Sequence, residues 1–166
     1  MRDVFLSRPT VVDAPFEKAY AGFEKFIKKD GFRARRLGQT DFNSKPPLMA
    51  IIEIIDDCCG AIILGYPQLE FHHQVKRSTK IQASSGYVLP TPWNQIEGAL
   101  AYRSHSPVMV VAHNGVSGGI FDYGVTGEFV LSVDLSAKDW FIQRPFRQLF
   151  TDWKKRVQVR DSTSGK

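Results

Sequence analysis

The clearest chemical signal in the chain is an acid beside an aromatic residue in the segment 91–102. Trp93 and Glu97 are four residues apart, so on a helix they share a face with Ala101, one turn further on. Gly98, next to the acid, permits close backbone approach at some cost in helix propensity. A carboxylate in a partly apolar pocket can stabilise an oxocarbenium-like centre, attack it covalently or hold a ribose hydroxyl. The alternative is structural, with Glu97 on the surface, Trp93 in the core and Gly98 as a packing contact.

Further candidates follow the predicted strands. Arg8 comes directly after the first strand, and its planar guanidinium could bind a phosphate; a salt bridge within the loop is the alternative. Glu97 is the predicted catalytic residue. Six positions are predicted to bind substrate: Ser7, Arg8, Thr10, Tyr66, Trp93 and Asn94.

Two other motifs are weaker. His72 and His73 are adjacent, an arrangement that rarely directs both rings at one ion, and no cysteine or carboxylate cluster accompanies them. No metal site is therefore predicted. Gly115, Gly118 and Gly119 lack the strand and helix context of a dinucleotide-binding loop, which favours a flexible turn.

The length, composition and charge of the chain restrict which classes of protein it can belong to. A chain of 166 residues, 43% hydrophobic and 23% charged, is typical of one globular domain, predicted at 1–160 with a polar tail at 161–166. The net charge of +5 suits an anionic ligand but supplies no dedicated basic arm, so no nucleic-acid partner is expected. No apolar run is long enough to cross a membrane, and an acid stands where a signal peptide is basic. With the adjacent Cys58 and Cys59, which do not suit a long-range disulfide, these features predict cytoplasmic residence.

Strands and helices alternate along the chain. Apolar or alternating runs predict five strands, at residues 4–7, 32–37, 61–65, 108–112 and 128–135. Helical spacing and capping residues predict four helices, at residues 13–31, 48–60, 91–105 and from Ser136 onward, the last kinked by Pro145. No regular element is predicted from 68 to 90, a stretch expected to be a mobile cover or an assembly surface.

This order predicts the fold class. Continuous apolar strands between helices favour an α/β fold, a flavodoxin-like three-layer sandwich around a central, mainly parallel five-stranded sheet. The strand at 32–37 alternates apolar and basic residues and is expected near an edge. In such sheets ligands bind beyond the carboxyl ends of the strands, so the site residues are expected there.

The chain resembles TIR domains in several short segments. They are Val-Phe-Leu-Ser at 4–7, the apolar strand at 61–64, and the Pro-Trp-Asn-Gln-Ile-Glu run at 92–97 ahead of a Pro-Val strand. In that family a Ser-x-Trp-Cys-x-x-Glu segment opens the corresponding helix. This chain has Thr91 and Asn94 where the family often has serine and cysteine.

The same outline is similar to nucleoside 2-deoxyribosyltransferases. The matching segments are Glu-Gly-Ala-Leu-Ala at 97–101 and the loop Ser-Arg-Pro-Thr at 7–10. In both families the glutamate that matches Glu97 acts at the anomeric carbon of a ribosyl group. The transferases pair an aspartate with that glutamate, and the absence of an aspartate near Glu97 in the sequence favours the TIR-like interpretation.

The resemblance implies cleavage of an N-glycosidic bond. The predicted function is hydrolysis of the nicotinamide-ribosyl bond of NAD, giving ADP-ribose or a cyclised nucleotide, with NAD as substrate and no cofactor. One alternative is a nucleoside or nucleotide N-glycosidase or deoxyribosyltransferase. The other is a non-catalytic TIR-like signalling module that works by self-association.

A homo-oligomer is expected, because the resemblance implies that TIR enzymes commonly complete their sites across subunits. Tyr123, Asp122 and the loop at 39–47 are the predicted contacts. They are placed near strand ends and have no folding role visible in the sequence.

Overall fold

Five parallel strands form the centre of the protein in the computed structural model, which describes residues 1–42, 44–71, 75–77, 80–82 and 87–164. In chain order the elements are β1 (Arg2–Ser7), α1 (Ala14–Lys29), β2 (Phe32–Arg35), α2 (Pro47–Asp57), β3 (Ala61–Gly65), β4 (Leu69–Phe71), β5 (Val75–Arg77), β6 (Lys80–Gln82), β7 (Tyr87–Leu89), α3 (Pro92–Arg103), β8 (Val108–His113), β9 (Val130–Val133) and α4 (Arg144–Ser164).

The sheet order is β2-β1-β3-β8-β9, with every pair parallel. Counted over the five strands of this sheet, the order is 2-1-3-4-5, which is the flavodoxin-like arrangement. The predicted fold class is confirmed, as is the edge position of β2. The order reverses between β1 and β3, where open α/β sheets leave a crevice for ligands.

Helices cover both faces of the sheet. One core cluster joins α1 and α4 to one face and includes Tyr20, Phe23 and Trp153. The other joins α2 and α3 to the opposite face and includes Ile51 and Ala101. Within the described ranges, no helix is both long and apolar enough to span a membrane.

The segment predicted as one kinked final helix is divided in two. A single 3-10 turn covers Trp140–Ile142, and α4 begins only at Arg144. Pro145 lies in the first turn of α4, where its missing N–H needs no partner, so it starts the helix and does not kink it. Ser136 does not cap a helix; its N–H and hydroxyl both donate to Asp134 Oδ1, at 2.9 and 2.6 Å.

Two strand predictions also need correction. The fifth sheet strand is shorter than the predicted 128–135 and runs only over Val130–Val133. The stretch 68–90 is not without regular structure, since β4 pairs antiparallel with β7 and β5 with β6. These pairs satisfy backbone groups with too few residues to show an apolar period. Part of this stretch lies outside the described residues, and its role as a cover or assembly surface stays a prediction.

Candidate active site

A cavity of about 260 Å³ lies at the carboxyl ends of β1 and β2, beside the first half of α3. Gln68, which follows β3, also lines the cavity, so the cavity extends to the reversal of strand order between β1 and β3. The lining residues come from β1, from the segments that follow β1, β2 and β3, and from the start of α3 with its cap: Phe5, Leu6, Arg8, Pro9, Thr10, Val11, Arg36, Leu37, Gln68, Thr91, Trp93 and Glu97. Four of the predicted site residues are therefore brought together here: Arg8, Thr10, Trp93 and Glu97.

Local sequence chemistry sets the start of α3. Thr91 occupies the N-cap, and its hydroxyl accepts a hydrogen bond from the Asn94 N–H at 3.1 Å. Pro92 takes the first helical position, where no N–H is needed. The predicted cap and first-turn proline are confirmed. This start places Asn94 and Glu97, three residues apart, on the side of the helix that meets β1.

A chain of hydrogen bonds holds the carboxylate of Glu97. The Asn94 side chain donates from Nδ2 to Ser7 Oγ at 2.7 Å, and Ser7 Oγ donates to Glu97 Oε2 at 2.5 Å. Ser7 and Asn94 are each 1% exposed, and neither lines the cavity. Because the Ser7 oxygen accepts a hydrogen bond from the Asn94 amide, its own hydroxyl hydrogen is free to point at the Glu97 carboxylate. In the structure both residues orient Glu97, and their predicted contact with substrate stays a prediction.

The electrostatic state of Glu97 reflects competing effects. Burial raises the pKa of its carboxyl above the ordinary value, while the hydrogen bond from Ser7 and the positive charge of Arg36 act to lower it. Glu97 is half-buried and lines the cavity. The structural alternative of a surface glutamate is therefore wrong. A poorly hydrated, oriented carboxylate can attack or stabilise a cationic carbon.

Gly98 allows the helix to approach its neighbours closely. A Cβ at this position would lie 2.0 Å from Ile120 Cδ1. The alternative that Gly98 is a packing contact is therefore confirmed, since its close neighbour is the Ile120 side chain and not a backbone. Gln95, also on α3, connects the glycine-rich loop to this helix. Its Nε2 donates to Gly118 O at 2.8 Å, and the Ile120 N–H donates to its Oε1 at 3.0 Å.

Arg8 is held by an ion pair. Its Nη2 and Nη1 donate to the two carboxylate oxygens of Glu17 at 2.5 and 3.3 Å, and Nε donates to Pro9 O at 3.0 Å. The guanidinium also lies over the Tyr20 ring, 4.1 Å from its centroid. The side chain is only 1% exposed. The salt-bridge alternative describes this residue in the structure, and phosphate binding by Arg8 stays a prediction.

Tyr66 and Trp93 have opposite surroundings. Tyr66 is fully buried, packs edge-on against Phe16 with centroids 5.4 Å apart, and does not line the cavity. The structure does not place it where it was predicted to bind substrate, because the end of β3 turns this ring under α1. Trp93 is 47% exposed and lines the cavity, so the alternative that it belongs to the core is wrong. Thr10 is exposed and also lines the cavity.

Arg36 is a cavity residue that the sequence argument missed. It follows β2 directly and lines the cavity together with Glu97. A signal was present: Arg33 and Arg35 keep the alternation of the strand, whereas Arg36 breaks it at the carboxyl end, where ligands bind.

Other candidates have structural roles or remain untested. Among the residues that the structure describes, no group of three or more histidine, cysteine or acidic side chains could hold a metal ion. His72 and His73 lie outside the described residues. Burial raises the pKa of the Cys58 thiol to about 12, so it is protonated and a poor nucleophile at neutral pH.

The predicted contact loops prove to contain folding interactions. Asp122 Oδ1 accepts a hydrogen bond from the Gly118 N–H at 2.6 Å, and Asp41 pairs with Arg35 at 2.5 Å. The expectation that Asp122 and the 39–47 loop lack a folding role is therefore wrong. Tyr123 is 88% exposed, and self-association through it stays a prediction.

Comparison with known proteins gives a likeness in fold. No known family and no curated protein sequence matches the chain. Among solved structures, the protein is similar to Clostridium botulinum CMP N-glycosidase, BcmB, with a TM-score of 0.51 and 11% sequence identity over 87% of this chain and 97% of that chain. This likeness supports the fold, while membership of the TIR family stays a prediction.

Proposed function

We propose that the protein cleaves the N-glycosidic bond of a ribonucleotide, with Glu97 acting at the anomeric carbon. The observation that carries this proposal is the Glu97 carboxylate, half-buried in a cavity at the strand-order reversal and held by Ser7. The fold likeness to an enzyme named as a CMP N-glycosidase is additional support. Glu97 also matches the catalytic glutamate of both families that the sequence resembles.

In the proposed reaction Glu97 must be ionised. Its carboxylate adds to C1′ of the ribosyl group, or stabilises the cation there, as the C1′–N bond breaks and its electron pair leaves with the base. Water then adds to C1′, its proton is lost to solvent and the Glu97 carboxylate is regenerated. Ser7 directs its hydroxyl proton at Oε2, which orients the carboxylate and opposes its protonation.

The lack of a second acid in the described lining of the cavity favours NAD as the substrate. Among the described residues Glu97 is the only acid lining the cavity, so no second carboxyl group is positioned to protonate a leaving base. The nicotinamide of NAD carries a positive charge that the electron pair of the broken bond cancels, so it leaves as a neutral molecule without a general acid. The products are nicotinamide, ADP-ribose and one proton from water.

A nucleoside monophosphate is the second candidate substrate. The similar solved structure is named for its action on CMP, and a cavity of about 260 Å³ would leave the second half of a dinucleotide uncovered. Cytosine leaves with a developing negative charge and needs a proton. Since no second acid lines the described part of the cavity, that proton would come from water.

A substrate panel tests the proposal. We would incubate the wild-type protein and Glu97→Gln with NAD, CMP and other nucleotides, and identify products by mass spectrometry. We expect nicotinamide and ADP-ribose from NAD, and at least about a 10³-fold loss of turnover in Glu97→Gln with little change in melting temperature. Cleavage of CMP but not of NAD would identify a nucleoside monophosphate, and not NAD, as the substrate. Full turnover by the folded variant, or no cleavage of any nucleotide, would overturn the function.

Self-association belongs to the same proposal. If the site is completed by a second copy, specific activity should fall steeply on dilution, and replacing the exposed Tyr123 by alanine should move that fall to higher protein concentration. Sedimentation over the same concentrations reports the oligomeric state. If specific activity does not change on dilution and the protein sediments as a monomer, the proposal of a site shared between subunits is wrong, while the proposed role of Glu97 is unaffected.

A further inference from the structure

The arginines near β1 and β2 differ in their partners. Arg33 pairs with Asp3 at 2.6 Å, Arg35 with Asp41 at 2.5 Å, and Arg8 with Glu17 at 2.5 Å. These three guanidinium groups are neutralised within the fold, so none of them needs a ligand to balance its charge.

Arg36 is the exception within this group. Across the residues that the structure describes, its guanidinium forms no salt bridge. Nη2 donates to Pro9 O at 3.5 Å, Cζ lies 5.8 Å from the centroid of the Tyr20 ring, and the guanidinium also hydrogen-bonds the Tyr20 hydroxyl. It is half-buried and lines the cavity. A guanidinium in this position has donors left over and no ion-pair partner among the described residues.

Local charges around Tyr20 reinforce this point. The ring is flanked by Arg8 at 4.1 Å and Arg36 at 5.8 Å, and Glu17 is the carboxylate paired with Arg8. A second carboxylate beside the ring, that of Glu24, accepts a hydrogen bond from the Tyr20 hydroxyl at 3.4 Å. The Arg36 guanidinium therefore faces the cavity without an ion-pair contact to any carboxylate of the described residues, and its charge acts at longer range on Glu97, which lines the same cavity.

Arg36 and Glu97 enter the cavity from different elements. Arg36 enters the cavity from the end of β2, and Glu97 enters from α3, with the end of β1 between them. In a ribose 5-phosphate unit the anomeric carbon and the phosphate lie at opposite sides of the sugar ring. If C1′ is at Glu97, an anionic group on C5′ extends away from it.

We propose that Arg36 binds the 5′-phosphate of the substrate and makes the site selective for nucleotides over nucleosides. The identity of the sugar rests on the proposed function, but the anion site rests on Arg36 itself. A guanidinium can donate two parallel hydrogen bonds to phosphate oxygens. Arg8, although it was the residue expected to do this, is held by Glu17 and forms part of the wall.

Binding measured without turnover tests the inference. The parent is Glu97→Gln, and the probes are ribose 5-phosphate, ADP-ribose and, as a phosphate-free reference, adenosine, each titrated by calorimetry. Adding Arg36→Gln should weaken binding of both phosphates about 10- to 100-fold and leave adenosine unchanged. Arg36→Lys should retain part of the affinity, since it keeps the charge but loses the planar fork. The matched control is Arg33→Gln, an arginine 64% exposed outside the cavity, which should change nothing.

Comparison of ribose 5-phosphate with ADP-ribose shows whether the Arg36 site prefers a monophosphate or a diphosphate. Tighter binding of ADP-ribose would assign a diphosphate, and equal binding would assign one phosphate; either result supports the anion site. Unchanged phosphate binding in Arg36→Gln with an unchanged melting temperature would overturn it, as would a parent that binds neither phosphate. Phosphate binding that depends on Arg36 in a protein that cleaves no nucleotide would refute the proposed function and keep the anion site.

Discussion

The face of the sheet under α1 and α4 is rich in aromatic rings, whereas the face under α2 and α3 is mainly aliphatic and carries the hydrogen bonds that hold Glu97. On the first face the rings of Phe146, Phe150 and Trp153 follow one another, with centroids 5.6 Å apart at interplanar angles of 17° and 20°. On the second face Ser7, at the end of β1, and Asn94, on α3, are both buried where the helix meets the sheet.

Glycine contacts show how the second face differs. A Cβ at Gly65 would lie 2.5 Å from the Phe121 ring, and one at Gly98 would lie 2.0 Å from Ile120. These small residues let the 119–121 turn pack against β3 and α3. The comparison indicates that large rings fill the core on one face, whereas close packing at glycines positions the helix that carries Glu97 on the other.

The largest effect is expected on the aromatic face. Trp153 is fully buried, and its Nε1 donates to Pro107 O at 2.9 Å. Trp153→Ala should lower the free energy of unfolding by about 3–5 kcal/mol, chiefly through the cavity it leaves, since Pro107 O keeps the hydrogen bond from the Ala61 N–H at 2.9 Å. Denaturant unfolding measures this, and turnover per folded molecule should be unchanged. The control is Ile142→Ala, which replaces a side chain 53% exposed and should stay within about 0.5 kcal/mol.

A smaller effect is expected at Gly98. Alanine normally stabilises a helix by about 1 kcal/mol relative to glycine. Here the added Cβ meets Ile120 Cδ1, so Gly98→Ala should instead cost about 1–3 kcal/mol and reduce turnover by displacing Glu97. Ile120→Val removes that methyl group, and in its background the cost should shrink. A stabilised Gly98→Ala protein would contradict the close packing of this face.

Trp93 tests the exposed edge of the same face. If a substrate ring stacks on its indole, Trp93→Ala should raise the KM for NAD by the equivalent of about 1–3 kcal/mol, with little effect on melting temperature. Tyr102→Ala is the matched control, because that ring is 49% exposed on α3 but does not line the cavity. Equal KM values for Trp93→Ala and the wild type would remove the stacking role.

The smallest effect is a shift in pH dependence. The Ser7 hydrogen bond lowers the pKa of Glu97, so Ser7→Ala should raise that pKa further. Because the ionised carboxylate is the reactive form in the proposed reaction, a higher pKa moves the acidic limb of the rate profile to higher pH. Ser132→Ala, on the far edge strand β9, should leave the limb where it is. An unchanged limb in Ser7→Ala would show that this hydroxyl does not control the protonation of Glu97.

Local patterns in the sequence determined much of the fold and part of the site. The cap at Thr91, the proline after it and the four-residue spacing of Trp93 and Glu97 depend on interactions within a few residues. Continuous apolar strands similarly predicted a covered parallel sheet, and thereby the edge where Glu97 lies. Such features are readable because their causes are close along the chain.

Only the tertiary structure decided which arginine is available to a ligand and what holds the carboxylate. Arg8 and Arg36 both follow strands, but Glu17 on α1 pairs with Arg8, and no described carboxylate pairs with Arg36. The hydroxyl of Ser7 reaches Glu97 from ninety positions away in the sequence. Pairing of this kind depends on which elements pack together and how their side chains meet, and those distances arise only when the sheet and helices assemble.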